Sequence, residues 1–257
     1  MNRQPLSLSV VIPAYNEEKR LASTLESATT FLSEQEWRWE VRIVDDGSSD
    51  KTAAVAEGFA AADSRIVVQR EPHRGKGGAV KAGLLAAAHS YRFICDADLS
   101  MPIAEVRRFL PPEREAFDIA IGSREGVGAR RIGEPQHRHT MGRLFNMMVQ
   151  GLALPGIQDS QCGFKMFTAE AVQHIFPLVT IDGWAFDVEV LTIARLQQLR
   201  IVEVPIEWHY RNESQVSMVR DGFGMLAELL RIRWRALRGA YRPATSTSSS
   251  RRETEPP

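Results

Sequence analysis

The sequence predicts an α/β protein built on a mostly parallel β-sheet with helices on both faces. Short apolar runs alternate with segments of helical periodicity along the first hundred residues. Polar residues follow each apolar run, at the point where a strand would end. Because ligands bind at the carboxyl ends of the strands in such sheets, we expect these polar residues to meet in one site.

The N-terminal half repeats the order of strand, turn and helix. The predicted strands are 9–12, 41–44, 66–68 and 92–95. The predicted helices are 17–32, a second one that begins at Asp50, and 79–89. The Asp50 carboxylate is expected to cap the first turn of its helix.

The C-terminal half alternates less clearly. After an apolar run at 119–121, the stretch 124–143 contains five arginines and two glutamates, and we expect a mobile basic loop over the site. Further helices are predicted at 144–154, 169–176 and 185–199, and a strand at 201–204. The predicted organisation is a main domain at 1–219, a basic amphipathic helix at 220–242 and a disordered tail at 243–257.

Composition excludes several classes of protein. The 257 residues contain 32 basic and 32 acidic side chains, so a formal net charge of zero gives no reason to expect nucleic acid as a partner. No apolar run approaches the roughly 20 residues that span a bilayer, and the first residues lack the features of a signal peptide. Cys95 and Cys162 are too few for a disulfide scaffold and wrongly spaced for zinc. We therefore expect a cytoplasmic protein with reduced thiols.

Asp96 and Asp98 form a carboxylate pair directly after a predicted strand. Residues two apart in an extended segment point the same way, so both carboxylates can face one divalent cation. Such hard oxygen ligands suit Mg²⁺ or Mn²⁺, which take further ligands from water and from a substrate diphosphate. A solvated turn is the alternative. A second acidic turn, Asp45-Asp46, ends another strand and could hydrogen-bond a base or ribose.

A Gly-rich turn, Arg74-Gly75-Lys76-Gly77-Gly78, opens a predicted helix. Free N–H groups and the helix dipole favour an anion at such a place, although the spacing matches neither a P-loop nor the dinucleotide fingerprint. We expect Lys76 or Arg74 to face phosphate; the alternative is a flexible turn with solvated bases.

Together these motifs resemble family 2 glycosyltransferases of the GT-A fold. The matching segments are 11–18, 44–50, 75–79 and 96–98. Within the family, the segments 98–100, 161–165, 183–187 and 203–206 are most similar to dolichyl-phosphate β-glucosyltransferases and, more distantly, to polyprenyl-phosphate mannose synthases. The resemblance covers about residues 8 to 219 and so implies a GT-A glycosyltransferase domain over 1–219.

The resemblance implies a role for each matching residue. Donor-binding residues would be Pro13, Tyr15, Glu17, Val44, Asp46, Lys76, Asp96, Ala97 and Asp98, with Asp96 and Asp98 as ligands of Mg²⁺ or Mn²⁺. Asp98 and Arg124 would be catalytic, with Arg124 near the donor or the acceptor phosphate. Independently of the resemblance, Asp159 is a further catalytic candidate, and Arg130, Arg131 and Arg138 of the basic stretch are expected to join Arg124 at the acceptor phosphate, because arginine binds phosphate bidentately. Two positions depart from the pattern: Ser100 replaces a further metal ligand, and Gln215 replaces a lysine.

The implied reaction is an inverting transfer of a hexose, preferably glucose from UDP-glucose, onto a polyprenyl or dolichyl phosphate, giving a β-linked lipid-phosphate sugar. A lipid monophosphate is largely a dianion at neutral pH, so no strong general base is needed. Asp159 is expected to assist the acceptor or to orient a basic side chain. The alternatives are another donor such as GDP-mannose, a soluble acceptor, or an inactive membrane-peripheral adaptor.

The last predicted helix has an apolar stripe beside a basic one. The apolar residues are Phe223, Leu226, Leu230, Trp234, Leu237 and Tyr241, and the basic ones are Arg231, Arg235, Arg238 and Arg242. This pattern is typical of a helix at a membrane interface. The alternative is a helix packed on the domain with a solvated arginine face. Expected partners are a nucleotide-sugar donor, a polyprenyl phosphate and, peripherally, the cytoplasmic face of a membrane.

Overall fold

The computed structural model describes residues 5–114, 116–210 and 218–242, without the side chains of 137, 138, 141 and 218–223. The strands within this part are β1 (Ser7–Ala14), β2 (Arg38–Asp45), β3 (Ile66–Arg70), β4 (Tyr91–Ile94), β5 (Ile119–Ser123), β6 (Arg130–Ile132), β7 (Lys165–Thr168), β8 (Ile201–Pro205) and β9 (Glu207–His209). The α-helices are α1 (Leu21–Ser33), α2 (Thr52–Ala62), α3 (Lys76–Ala86), α4 (Gln136–Leu152), α5 (Ala169–Ile175), α6 (Phe186–Leu196) and α7 (Met218–Leu237).

A seven-stranded sheet organises the described chain, in the order β3-β2-β1-β4-β7-β5-β8. Its neighbouring strands are parallel except β7, which runs antiparallel to both β4 and β5. A small second sheet pairs β6 with β9 in parallel. The predicted α/β class is confirmed, and the carboxyl ends of β1, β2, β3 and β4 meet at one edge of the large sheet.

Two apolar cores lie on opposite faces of this sheet. Alternate side chains of β1 supply them: Val11 points to the core beneath α3, α5, α6 and α7, whereas Val10 and Ile12 point to the core beneath α1 and α2. A Cβ on Gly83 of α3 would come within 2.5 Å of Val11 Cγ1 and 2.7 Å of Val44 Cγ2. Glycine at that position therefore lets α3 lie directly against the sheet.

The stretch 124–143 differs from its prediction as a single loop. It contains β6, and α4 begins at Gln136 after Pro135. Arg131, predicted to meet the acceptor phosphate, lies within 2.7 Å of Glu125 and 2.5 Å of Glu134, so two carboxylates already pair with its charge. Sequence periodicity predicted this helix only from residue 144, because its first turn, Gln136 to His139, is polar throughout.

Helix α7 packs on the domain by one face. Leu229, Ile232 and Tyr241 are buried in the same core as α5 and α6, whereas Leu230, Trp234 and Leu237 are exposed. Tyr241 is thus buried, although the sequence places it in the amphipathic stripe. The side chain of Phe223 and the tail at 243–257 lie outside the described residues. None of the helices described is both long enough and apolar enough to cross a membrane.

Candidate active site

A cavity of about 750 Å³ opens at the carboxyl edge of the large sheet. It gathers most of the predicted site residues from distant parts of the chain. Those that line it are Pro13, Tyr15, Glu17, Asp46, Lys76, Asp96, Ala97, Asp98, Arg124, Arg131 and Asp159. The turns that follow β1, β2 and β4 therefore share one space, as the strand order requires.

Three predicted residues are not found in this lining. Val44 is fully buried under Gly83 of α3, because its position on β2 points into the core and away from the cavity. Arg130 is exposed on β6, where its Nη1 lies 3.2 Å from Glu207. The side chain of Arg138 lies outside the described residues. The Val44 side chain therefore does not line this cavity, and the ligand contacts predicted for Val44, Arg130 and Arg138 stay predictions.

The carboxylates of Asp96 and Asp98 both line the cavity beyond the end of β4. Asp98 Oδ1 accepts a hydrogen bond of 2.9 Å from the Ser100 N–H, which fixes the turn. The Asp96 carboxylate lies against Gly163, where any Cβ would collide with it. Ser100, predicted as a weaker substitute for a metal ligand, is almost completely buried beside the pair.

This carboxylate pair fits a divalent cation. Both aspartates line the open cavity, and the Asp96 carboxylate lies between Gly163 and Lys76, whose Nζ is 2.5 Å from Oδ1. Among the described residues, no group of three or more His, Cys, Asp or Glu side chains is arranged as a complete metal cage. The remaining ligands of a cation here would therefore come from water and from a bound diphosphate, as is usual for Mg²⁺.

Lys76 is the basic residue of the Gly-rich turn that reaches the cavity. Its Nζ lies 2.5 Å from Asp96 Oδ1, whereas Arg74 points to Glu71 at 3.5 Å. Burial lowers the pKa of Lys76, but the carboxylates of Asp96 and Asp187 outweigh it and hold the pKa above its ordinary value. Lys76 is therefore a fixed positive charge at the carboxylate pair.

The N-terminus of α3 is less open to anions than the sequence predicts. The helix begins at Lys76, three residues before the predicted start, and the Asp182 carbonyl accepts from the Gly77 N–H at 2.7 Å. Gly75 has φ +114°, and a Cβ there would lie 2.7 Å from the same carbonyl oxygen. The glycines thus allow the 181–182 backbone to approach the helix, which uses donors that a phosphate would need.

Asp46 is buried and holds the turn after β3. Its carboxylate accepts from the Arg74 N–H at 3.0 Å and the Gly75 N–H at 2.9 Å, and lies 2.8 Å from His73 Nδ1. The His73 ring stacks on Tyr15 with 4.1 Å between ring centroids. By holding His73, Asp46 therefore shapes the wall where a nucleotide base would bind. Sequence reasoning missed His73. Its position between the predicted strand 66–68 and the Gly-rich turn at 74–78 is the signal that could have identified it.

Arg124 and Asp159 form a bidentate pair. Arg124 Nε and Nη2 each donate to Asp159 at 2.8 Å, and the Arg124 backbone N–H adds a third bond of 2.8 Å. Burial raises the pKa of Asp159, but the charge and hydrogen bonds of Arg124 outweigh it, so the pKa lies below its ordinary value. With both oxygens engaged, Asp159 fits the role of orienting a basic side chain.

Glu203 on β8 holds this pair in place. Its carboxylate accepts from the Gln158 N–H at 3.0 Å and the Asp159 N–H at 3.1 Å, and burial raises the pKa of Glu203. The indole of Trp208 lies beneath the Arg124 guanidinium, 5.3 Å from ring centroid to Cζ. Sequence reasoning assigned no role to Glu203 or Trp208, since β8 and β9 reach the cavity only through tertiary packing.

The mouth of the cavity is apolar. Leu144 and Met148 of α4 line the cavity and are 57% and 38% exposed. Phe145 and Met225 continue this lining between α4 and α7. The cavity thus has a charged inner end and an apolar opening.

The fold and the site define a glycosyltransferase of the GT-A class: paired carboxylates end a central strand of a mostly parallel sheet, beside a wall suited to a nucleotide. The chain belongs to glycosyl transferase family 2, whose family description matches residues 9–176. The resemblance found in the sequence is therefore confirmed.

Curated relatives extend over most of the chain. Dolichyl-phosphate beta-glucosyltransferase of Dictyostelium discoideum is 34% identical, over 94% of this chain and 79% of its own. The human enzyme of that name is 35% identical, over 91% of this chain and 77% of its own. The mouse enzyme is 36% identical, again over 91% of this chain and 77% of its own.

Solved structures share the fold. Glucosyl-3-phosphoglycerate synthase from Mycobacterium tuberculosis, in complex with UDP, superposes with a TM-score of 0.65 at 20% identity, over 89% of this chain and 80% of its own. The same enzyme with Mn²⁺, UDP-glucose and phosphoglyceric acid gives a TM-score of 0.64 at 19% identity, over 93% of this chain and 82% of its own.

Proposed function

We propose that this protein is an inverting glucosyltransferase that moves glucose from UDP-glucose to dolichyl or another polyprenyl phosphate. The product is a β-linked lipid-phosphate sugar. Support comes from curated relatives named dolichyl-phosphate beta-glucosyltransferase, which are 34–36% identical over most of the chain. The observation that carries the proposal is the two-ended cavity, because its charged end suits a diphosphate and its apolar mouth suits a lipid.

The donor's diphosphate belongs at the charged end. Lys76 supplies a positive charge there, and Asp96 and Asp98 would hold Mg²⁺ or Mn²⁺. When bound, the cation neutralises the charge that develops on the departing diphosphate. The neighbouring wall of Tyr15 and His73 offers stacked aromatic surface for the base.

The acceptor phosphate belongs beside Arg124. Asp159 holds the guanidinium by its Nε and Nη2, and within the described part of the chain Nη1 stays available for a further oxygen. A phosphate monoester is already largely a dianion at neutral pH, so these residues need only orient it for in-line attack. The depressed pKa of Asp159 agrees with this assignment, because a carboxylate engaged in this way is a poor base.

The test compares acceptors and donors directly. Purified protein with Mn²⁺ is given radiolabelled UDP-glucose and either dolichyl phosphate in vesicles or soluble 3-phosphoglycerate, with GDP-mannose as the second donor. We expect label to enter the solvent-extractable lipid fraction from UDP-glucose alone. Transfer to 3-phosphoglycerate would support the soluble alternative, transfer from GDP-mannose would correct the sugar, and absence of transfer in every arm would support an inactive adaptor.

We also propose that α7 binds the membrane surface that carries this acceptor. Leu230 and Trp234 are 52% and 53% exposed, Leu237 is 78% exposed, and the Arg238 guanidinium lies over the Trp234 ring at 3.8 Å. An apolar strip edged by arginines suits an interface of anionic headgroups. The cytoplasmic location expected from the sequence stays a prediction.

Charge-matched variants test this membrane contact. Arg231→Gln with Arg238→Gln removes two positive charges from α7, and Arg65→Gln with Arg70→Gln removes two from the far edge of the sheet. At about 1 kcal/mol for each charge, the α7 variant should bind anionic vesicles about 30-fold more weakly in a sedimentation assay. Equal loss in both variants would show that net charge, and not α7, determines binding.

A further inference from the structure

We propose that α7 and the turn that follows it also position the donor end of the cavity: Glu228 of α7 and Tyr241, four residues beyond its end, hold the segment 180–185, against which Lys76 and the first turn of α3 pack. This inference rests on the proposed function, since it concerns binding of the nucleotide. It gives two roles to one helix, whose exposed face meets the membrane and whose buried face sets the donor site.

The first contact is made through Glu189, a fully buried carboxylate on α6. It accepts from the backbone N–H groups of Thr180 and Ile181, each at 2.8 Å. The Tyr241 hydroxyl donates to Glu189 Oε1 at 2.7 Å, and Tyr241 itself is 1% exposed. The Thr180 hydroxyl also donates to Oε1, at 2.9 Å. Because a buried carboxylate that loses one of its donors is less well satisfied, we expect loss of the Tyr241 hydroxyl to loosen the residues that Glu189 holds.

The second contact comes from the middle of α7. Burial raises the pKa of Glu228, and the backbone N–H of Ala185 acts against that rise, which places this N–H close to the carboxylate. A Cβ on Gly183 would lie 3.5 Å from Glu228 Oε1, so the carboxylate packs against this part of the segment as well. Residues 180–185 are thus held at one end through Tyr241 and at the other through Glu228.

The segment in turn shapes the donor end. The Asp182 carbonyl accepts from the Gly77 N–H at 2.7 Å, and a Cβ on Gly77 would lie 2.7 Å from the Ile181 carbonyl oxygen. Trp184 lines the cavity, with its ring centroid 5.6 Å from Lys76 Nζ. Any shift of 180–185 therefore moves the turn that carries Lys76, the residue paired with Asp96 at 2.5 Å.

Tyr241→Phe tests the first contact, because it removes one oxygen and keeps the buried ring. With UDP and Mn²⁺ as the probe in calorimetry, without lipid or acceptor, we expect affinity to fall about three- to tenfold. Vesicle binding should be unchanged. Tyr91→Phe, which removes the same hydroxyl at the opposite end of β4, should bind UDP like the wild type.

The results separate positioning from stability. A lower melting temperature with wild-type UDP affinity in Tyr241→Phe would overturn the inference. Wild-type protein that binds no UDP would overturn the proposed function and this inference with it, whereas wild-type binding with an unaffected variant overturns the inference alone.

Glu228 provides a second variant with its own rescue. Glu228→Ala removes the carboxylate that lies beside the Ala185 N–H, whereas Glu228→Gln keeps a side-chain oxygen at the same reach. We expect Glu228→Ala to weaken UDP binding severalfold and Glu228→Gln to restore most of it. Equal affinity in all three proteins would contradict the second contact.

Discussion

The inner end and the mouth of the cavity are built differently. At the inner end, Asp46, Asp98 and Asp159 are each fixed by hydrogen bonds from backbone N–H groups. At the mouth, Leu144 and Met148 are exposed apolar side chains on α4. A polar site that must place charges accurately is preorganised, whereas a surface that contacts a lipid needs only apolar area. The difference indicates that donor binding depends on accurately placed polar side chains, whereas binding of a lipid acceptor depends on exposed apolar surface.

We expect the largest effect on activity when a charge is removed at the inner end of the cavity. Asp98→Asn should lower turnover by about 10²- to 10³-fold, because one of two oxygen ligands for the cation is lost. Release of UDP measures the effect, and vesicle binding should not change. Asp63→Asn, an aspartate paired with Arg65 at the protein surface, is the control and should keep full activity. Comparable losses in the two variants would contradict the assignment.

Stability should be most sensitive at the Arg124 pair. Asp159→Asn leaves a buried guanidinium without its counter-charge, so the free energy of unfolding should fall by about 3–5 kcal/mol at neutral pH. The exposed pair of Asp63 and Arg65 should contribute less than about 1 kcal/mol. Denaturant unfolding measures both, and similar losses in the two variants would show that burial of the pair has no special effect.

The same pair predicts a dependence on pH. Burial raises the pKa of Asp159, but Arg124 outweighs it and brings the folded-state pKa below the unfolded value of about 3.9. The stabilisation is therefore complete above about pH 5 and is lost as the pH falls towards the folded-state pKa. The difference in unfolding free energy between wild type and Asp159→Asn should narrow below about pH 4. A constant difference down to pH 2 would contradict this account.

A smaller effect is expected at the cavity wall formed by Tyr15 and His73, where the nucleotide base would bind. His73→Ala removes the ring stacked on Tyr15 and should weaken UDP binding about three- to tenfold. His174→Ala, on the exposed side of α5, is the matched control. Wild-type UDP affinity in His73→Ala would place the base elsewhere.

The inner end was largely predictable because it follows from strand order. The turns at 15–17, 45–46 and 96–98 come after strands that lie side by side, so their polar residues must meet. The burial of the Val44 side chain was not predicted, because alternation along a strand does not say which face lies under a helix. His73 was missed because its partner, Asp46, lies 27 residues away.

The C-terminal half of the chain was less predictable, because contacts between segments far apart in the sequence determine its arrangement. Antiparallel β7 enters between β4 and β5, and the contact of Glu203 with the Asp159 N–H spans 44 residues. Helix α7 shows a basic amphipathic pattern in the sequence, but that pattern cannot show that Tyr241 turns inward to Glu189. Local periodicity identifies such elements and leaves their partners undetermined.

The central claim is that Asp96 and Asp98 hold a cation beside the diphosphate, and UDP calorimetry with and without Mn²⁺ tests it most directly. Wild-type protein should bind UDP at least about tenfold more tightly with Mn²⁺ than with a chelator, and Asp98→Asn should lose most of that gain. Equal UDP affinity of the wild type with Mn²⁺ and with the chelator would contradict the claim.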